Sequence, residues 1–220
     1  MCYSAGASFA AGVVISAVGV AVITGVHKPS QRLFAIIPLL FAIQQFAEGC
    51  LWLTLQSSDY EIVKSVCNYV FLITSHVIWP LLIPLSVLLM EEEGKRKKLL
   101  RILLVAGMAL ASYYAFYLLS SNVNSLILNC HILYTINLPK VLALPTFMFY
   151  LVITVAPLFI SSLKKMYLMA ILMLLSLAVT VFFYRVHLTS VWCFFAALIS
   201  MIILWILRLN EVSAEKAGVK

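Results

Sequence analysis

The chain has 220 residues, of which 64% are hydrophobic and only 10% are charged, and its mean hydropathy is +1.09. A soluble domain is about half apolar and about a quarter charged, so this composition excludes an ordinary soluble fold. The net charge of +7 does not indicate a nucleic-acid partner, because the Lys and Arg residues stand at the ends of apolar segments rather than along one basic face. The expected partner is a lipid bilayer.

Seven apolar segments are each long enough to cross a membrane as a helix, which takes about 18 residues or more. In chain order they lie at roughly 5–26, 32–56, 62–90, 99–120, 141–162, 166–184 and 187–208. No positively charged region precedes the first segment, which favours a retained helix over a cleaved signal peptide. The sequence therefore predicts an all-α fold, a polytopic membrane bundle, with residues 1–210 as one transmembrane domain and residues 211–220 as a cytoplasmic tail.

The basic residues fall mainly on one side of these seven segments. The other side carries only Lys64, Lys140 and Arg185 of the fifteen Lys and Arg residues. The positive-inside rule makes the basic side cytoplasmic, and with seven spans the N-terminus then lies outside. The twelve residues on the basic side are Lys28, Arg32, Lys95, Arg96, Lys97, Lys98, Arg101, Lys164, Lys165, Arg208, Lys216 and Lys220. We therefore expect a multi-pass protein of the cell membrane.

Two features interrupt this regular pattern. The longest outer connection, residues 121–140, mixes Asn, His and Pro with apolar residues. Its length favours a re-entrant or interfacial segment that could act as a lid over the bundle. Pro80 and Pro84 in the third segment, and Pro145 and Pro157 in the fifth, remove backbone donors inside the membrane and predict kinks there.

Glu48 is the one acidic side chain deep within a predicted span, and an ionisable group at that depth is costly enough to suggest a function. At helical spacing, Gln44 and Trp52 lie one turn away on the same face, and Gln45 flanks them. The alternative is a structural carboxyl that holds helices together through a Gln, Ser or Tyr of a neighbouring helix.

Two histidines lie on the same outer side as Glu48. His76 stands in the third span, close to Trp79, at a depth where it could meet Glu48. His187 opens the last span and is followed by Ser190 and Trp192. Ordinary structural hydrogen bonding is the alternative for both histidines.

A mixed set of Glu48, His76, His187 and Cys2 could bind zinc with an open coordination position and activate a water molecule. The sequence has no His-Glu-x-x-His and no His-x-x-x-His pair, so spacing alone does not define this site. Zinc is the one cofactor that the residues suggest.

Three segments carry a resemblance to a known family. They are Met1-Cys2-Tyr3-Ser4-Ala5-Gly6-Ala7-Ser8-Phe9, Gln44-Gln45-Phe46-Ala47-Glu48-Gly49-Cys50-Leu51-Trp52, and Ser190-Val191-Trp192-Cys193-Phe194-Phe195-Ala196-Ala197. Together they resemble a family of uncharacterised bacterial integral membrane proteins with seven predicted spans. The resemblance implies a bacterial inner-membrane location and no particular activity.

The chain is also distantly similar to the alkaline ceramidases and adiponectin-receptor-like hydrolases, in span number and in histidines carried on helices. Those enzymes use two histidines one turn apart on the last helix. Here His187 stands alone, with Val191 four residues later. The likeness in span number is therefore an analogy of fold.

Several functions fit these observations. We favour an outward-facing polar pocket, lined by Glu48, His76 and His187, that binds a metal or a small molecule. The alternatives are a proton- or cation-coupled transporter or channel, a membrane-embedded metal-dependent hydrolase, and a sensor or scaffold without chemistry. The full set of candidate pocket residues is Gln44, Gln45, Glu48, Trp52, His76, Trp79, Ser190 and Trp192.

Overall fold

A computed structural model of the chain describes residues 4–57, 59–121, 123–129 and 131–216, with side chains as far as residue 209. Within these ranges, seven helices are long and apolar enough to cross a membrane. They are α1 (Ala5–Gly25), α2 (Pro29–Thr54), α3 (Glu61–Met90), α4 (Gly94–Ser120), α5 (Lys140–Ile160), α6 (Met166–Phe183) and α7 (Arg185–Leu209). The seven predicted long apolar helices are confirmed. Helix α4 begins earlier than predicted, at Gly94, because its basic residues continue the helix beyond the apolar part.

The connection between α4 and α5 differs from the prediction. It forms an antiparallel hairpin of β1 (Asn124–Leu128) and β2 (His131–Thr135), paired from Asn124↔Thr135 to Leu128↔His131. Asn129 in the turn has a φ of 47°, a conformation that Asn tolerates better than most residues. The hairpin corrects the predicted all-α fold, since the bundle is mostly helical with one two-stranded sheet, and the interfacial position of this segment stays a prediction. Pairing two short strands satisfies the backbone of a segment too short to span.

Three spans are interrupted along their length. Helix α2 has a break at Ile36, and α7 has one at Met201, after which a further helix (Ile202–Lys216) continues past the end of the apolar stretch. Helix α3 contains a single π-helical turn, Thr74–Ile78. These interruptions place irregular backbone inside the membrane, where it is tolerated when protein surrounds it or when it lines a cavity.

Gly107 allows α4 to approach α3 closely. A Cβ atom built on Gly107 would lie 2.1 Å from the carbonyl oxygen of Pro80 and 3.3 Å from the Cγ2 atom of Ile153. In a regular α-helix the Pro80 carbonyl would accept a hydrogen bond from the N–H of residue 84. Residue 84 is also a proline, so it has no N–H to donate. The backbone of α4 therefore packs directly against the Pro80 carbonyl, which has no helical donor because residue 84 is proline. Only glycine at position 107 leaves room for that contact.

The two ends of the bundle carry different structures. The hairpin end holds the β-hairpin and the connections α2–α3 and α6–α7. The basic end holds the connections α1–α2, α3–α4 and α5–α6, and its exposed residues include Lys28, Lys95 and Lys165. The alternation of the seven helices places all the predicted outer connections at the hairpin end.

Glu91, directly after α3, joins two connections of the basic end. Its carboxyl oxygens accept hydrogen bonds from the backbone N–H and the hydroxyl of Ser162, at 2.8 Å each, and from the N–H groups of Glu92 and Glu93, at 3.1 and 3.2 Å. Glu91 is only 2% exposed. Burial raises the pKa of this carboxyl, but the hydrogen bonds outweigh burial and hold the pKa below its ordinary value of 4.5.

We expect Glu91→Gln to lower the free energy of unfolding by about 1.5 kcal/mol at neutral pH, because an amide cannot accept all four hydrogen bonds. The folded-state pKa is depressed, so the stabilisation is present above the unfolded-state pKa and is lost as the pH falls through the folded-state pKa. The difference between wild type and variant should therefore shrink below pH 4.5 in thermal unfolding across a pH series.

Glu93→Gln is the matched control for this experiment. It removes the same charge from the same connection, but the Glu93 side chain is half exposed and pairs with Arg96 at the surface. Glu93→Gln should lower the free energy of unfolding by less than about 1 kcal/mol at every pH. An equal and pH-independent cost for both variants would contradict the assigned role of Glu91.

Candidate functional site

Four buried polar side chains from α2 and α7 form what we call the Glu48 cluster. The hydroxyl of Ser190 donates a hydrogen bond to the Oε1 atom of Glu48. Glu48 and Ser190 are each 4% exposed, and Gln44 and Gln45 are fully buried. The cluster therefore joins the second span to the last one through a carboxylate and a hydroxyl.

Many polar atoms around this cluster have no protein partner. Among the residues that the structure describes, no hydrogen bond reaches either amide atom of Gln45 or the Oδ1 atom of Asn68, and the amide of Gln44 has only the Cys193 thiol beside it. The indole N–H groups of Trp52, Trp79 and Trp192 are in the same situation. Buried polar groups in folded proteins are nearly always satisfied, by protein, water or ligand. This part of the bundle thus concentrates groups that can bind a polar molecule.

His76 lies within the π-helical turn of α3, where the hydrogen bonding of Ser75 favours one tautomer of the ring. The hydroxyl of Ser75 donates to the Leu72 carbonyl at 3.1 Å, so its oxygen is free to accept from the Nδ1 atom of His76 at 2.7 Å. A proton on Nδ1 leaves the Nε2 atom with a lone pair. The ring also contacts Tyr114 edge-on, with centroids 5.0 Å apart. His76 therefore offers a neutral hydrogen-bond acceptor.

Tyr150 stabilises the same turn from α5. In the π-helical turn the Trp79 N–H donates to the Thr74 carbonyl, so the Ser75 carbonyl loses its usual helical donor, and the next residue is Pro80, which has none. The hydroxyl of Tyr150 takes that place and donates to the Ser75 carbonyl at 2.7 Å. Single π turns often occur at functional sites.

Removing this one hydroxyl should have a measurable cost. We expect Tyr150→Phe to lower the free energy of unfolding by about 1.5 kcal/mol, since it leaves a buried carbonyl without a donor. Tyr167→Phe, at an exposed position of α6, should have almost no effect. Thermal unfolding in detergent measures both variants, and a neutral Tyr150→Phe would show that the π-helical turn does not depend on Tyr150.

Two neighbouring cavities of about 40 Å³ each share Tyr150, Trp192 and Cys193. The His76 cavity is lined also by Ser75, His76, Tyr114 and Thr189. The aromatic cavity extends towards the basic end and is lined also by Phe41, Trp79, Ile83, Leu158, Met169 and Met173. Phe41 and Trp79 stack there with ring centroids 4.2 Å apart. The two cavities adjoin at their shared residues, with His76 in the lining of one and stacked aromatic rings in the lining of the other.

The hairpin covers the site from outside. Tyr134 of β2 stacks on Phe71 of α3, with ring centroids 4.4 Å apart and planes 6° apart. Burial raises the pKa of the Tyr134 hydroxyl well above its ordinary range, and the nearby Glu48 and Cys193 groups raise it further. The hydroxyl is therefore neutral and close to the Glu48 cluster.

His187 belongs to a separate contact at the hairpin end. Its ring stacks on His131 of β2 with centroids 4.9 Å apart, and His131 also contacts Tyr184 at 5.1 Å. His187 and His131 are 6% and 5% exposed. The predicted meeting of His187 with His76 and Glu48 is not a direct contact, because His187 packs against the hairpin instead.

The structure brings some candidate residues together and separates others. Gln44, Gln45, Glu48 and Ser190 share one cluster, while His76, Trp79 and Trp192 line the two cavities. Cys193 connects these groups, since it lies near Gln44 and Glu48 and lines both cavities. Trp52 packs on the hairpin side, in a cluster with Leu51 and Ile132.

The proposed zinc ligands do not converge. Over residues 4–57, 59–121, 123–129 and 131–216, no three His, Cys, Asp or Glu side chains are placed to hold one metal ion. Glu48 bonds to Ser190, His76 to Ser75, and His187 stacks on His131. Cys2 lies outside the described residues.

Sequence reasoning missed three residues of the site. Tyr150 and Tyr134 come from elements predicted only as a span and as a lid, and nothing in their local sequence distinguishes them from other aromatic residues. Cys193 stands next to Trp192 in a quoted segment, and helical spacing from Ser190 would have placed it on the same face.

The seven apolar helices define a multi-pass membrane protein, with buried polar groups gathered between its second, third, fifth and last spans. The chain belongs to a family of unknown function, DUF6629, whose model matches residues 1–217. No curated protein and no solved structure matches the chain. The family membership agrees with the resemblance to uncharacterised proteins and assigns no activity, so the function must be argued from the geometry.

Proposed function

We propose that the protein binds a small uncharged molecule in the joined His76 and aromatic cavities, which open from the outer face of a bacterial inner membrane. The observation that carries this proposal is the pair of adjoining cavities that share Tyr150, Trp192 and Cys193. The orientation follows from the positive-inside rule, which makes the basic end cytoplasmic and the hairpin end external.

The lining defines the chemistry of the ligand. The Nε2 atom of His76 is an acceptor, so the ligand needs a hydroxyl or N–H donor. The unpartnered indole N–H groups of Trp79 and Trp192 suit a second, acceptor group. Neither cavity is lined by Asp, Glu, Lys or Arg, which disfavours an ion. Flexible Met169 and Met173 let the aromatic cavity adapt to a compact apolar body.

The lining towards the basic end favours binding over conduction. Ile83, Leu158 and Met169 offer no hydrogen-bonding side chain there, and the stacked Phe41 and Trp79 lie in the same lining. The one hydroxyl among these residues, that of Thr154, already donates to the Tyr150 carbonyl at 2.8 Å. An ion or proton pathway needs polar groups or water along its full length. The polar groups of this site are concentrated on the hairpin side instead.

The test uses 2,2,2-trifluoroethanol as a probe in ¹⁹F NMR of the protein in nanodiscs. The probe combines a hydroxyl donor with a compact apolar group, and methyl 2,2,2-trifluoroethyl ether serves as a probe without the donor. We expect saturable binding of the alcohol, weakened about tenfold in His76→Leu, which removes the acceptor. Ala196→Leu, which fills the aromatic cavity, should weaken binding further.

Val152→Leu adds the same kind of bulk at an exposed position of α5 and should leave binding unchanged. The proposal fails if the alcohol only partitions as it does into empty nanodiscs. It also fails if the two cavity variants bind as well as wild type, with thermal unfolding showing that both are folded.

A carrier is the second candidate, and the interrupted spans favour it. Helices α2, α3 and α7 each contribute to the cavities and each contain a break. Interrupted helices commonly form the substrate sites of secondary transporters. A variant with Cys193 as its single cysteine, treated with a charged methanethiosulfonate reagent from one side at a time, separates the candidates. Labelling only from the hairpin end supports a receptor, and labelling from both ends supports a carrier.

A further inference from the structure

A second pocket lies at the basic end, away from the site described above and independent of its function. It has a volume of about 190 Å³ and is lined mainly by polar groups from three connections. Its lining includes Lys28, Ser30, Gln31, Glu92 and Ser162. Because a water molecule occupies roughly 30 Å³ in the liquid, the pocket has room for a small polar group of several heavy atoms.

The frame of this pocket is built by hydrogen bonds within the chain. Glu91 ties the α3–α4 connection to Ser162 through two hydrogen bonds, and it accepts two more from the N–H groups of Glu92 and Glu93. The short 3₁₀ turn Pro29–Gln31 places Gln31 on the opposite wall, where Pro29 fixes the backbone. The pocket therefore has its shape before any molecule binds, which lowers the entropic cost of binding.

The polar groups of the pocket call for a ligand with both signs of charge. Gln31 is 5% exposed, and its Oε1 atom has no hydrogen-bond partner among the described residues. That atom requires an N–H or O–H donor. Lys28 and Glu92 line the same pocket, yet no salt bridge within 4.0 Å joins them in the described part of the chain. A simple anion would be repelled by Glu92 and by the Gln31 amide oxygen, and a simple cation would be repelled by Lys28.

We propose that this pocket binds a zwitterionic aminoethyl phosphate group, with the primary ammonium at Gln31 and Glu92 and the phosphate at Lys28. The pocket lies where α1, α3 and α5 end and α2 begins, so it is at the membrane surface. The group can come from the headgroup of phosphatidylethanolamine or from free phosphoethanolamine. Phosphatidylcholine carries the same charges, but its quaternary ammonium has no N–H to donate.

Native mass spectrometry of the protein released from nanodiscs containing equal amounts of the two lipids tests this proposal. We expect wild type to retain phosphatidylethanolamine about tenfold over phosphatidylcholine, the value of one charge-assisted hydrogen bond. Gln31→Met and Glu92→Gln should bring this ratio close to one. Lys28→Gln should weaken both lipids alike, because both carry the phosphate.

Glu61→Gln and Lys64→Gln are the matched controls, since they change the same charges in an exposed ion pair at the hairpin end. Gln31→Met removes a buried amide oxygen that has no partner among the described residues, so the variant should fold. Competition with free phosphoethanolamine identifies the source: displacement of the lipid means that the headgroup alone binds, and no displacement means that the lipid form is required. An equal lipid ratio in wild type, or a ratio unchanged by Gln31→Met and Glu92→Gln, overturns the proposal.

Discussion

Gly107→Ala should destabilise the protein by about 3 kcal/mol, near the upper end of the cost of overpacking a core. The added methyl group would lie 2.1 Å from the Pro80 carbonyl oxygen and 3.1 Å from its carbonyl carbon. Both atoms belong to the backbone, so no side-chain rotation can relieve the clash. Helix α4 must move away from α3, and thermal unfolding in detergent should show a clear drop in midpoint.

Gly94→Ala is the matched control in the same helix. No atom lies within 4 Å of a Cβ built on Gly94, so the substitution should be neutral or slightly stabilising through helix propensity. Trp79 precedes Pro80 and lines the aromatic cavity, so Gly107→Ala should also weaken binding of trifluoroethanol. A Gly107→Ala variant as stable as wild type would show that α3 and α4 can separate without cost.

Ser190→Ala should cost about 2.5 kcal/mol, because it removes the hydroxyl that donates to the buried carboxyl of Glu48. Leaving a buried polar group without a partner costs more stability than the hydrogen bond contributes when it is formed. The measurement is again thermal unfolding. Ser200→Ala is the control, since Ser200 is fully buried in the same helix but donates only to the nearby Ala197 carbonyl.

A double-mutant cycle separates the Glu48 contact from general packing. In a Glu48→Gln background the acceptor is a neutral amide, so Ser190→Ala should cost only about 1 kcal/mol. The same cost in both backgrounds would mean that the Ser190 hydroxyl does not stabilise the Glu48 carboxyl. A large loss from Glu48→Gln alone, in contrast, would assign Glu48 a structural role.

The long helices were predictable because each is a long apolar run. A helix that crosses a bilayer needs nearly every residue along its length to be apolar, so the signal is strong in the sequence alone. The hairpin was not predictable from that signal, since its strands are short and its pairing depends on the turn at Asn129. Contacts between distant segments were also beyond the sequence pattern. Tyr150 donates to a carbonyl 75 residues earlier, and Ser190 donates to a carboxyl 142 residues earlier. Glu48 was recognised as unusual from its cost alone, but its partner required the tertiary structure.

The long separation between Glu48 and Ser190 has a consequence for biosynthesis. Glu48 enters the bilayer with the second helix, whereas the donor that satisfies it arrives with the last. A nascent chain therefore carries a polar group without this donor until synthesis is nearly complete, and an ionisable group inside a bilayer is costly. Insertion of α7 removes that exposed group and also supplies Trp192 and Cys193 to the cavities. Completion of the two cavities and pairing of the Glu48 carboxyl thus depend on the same helix.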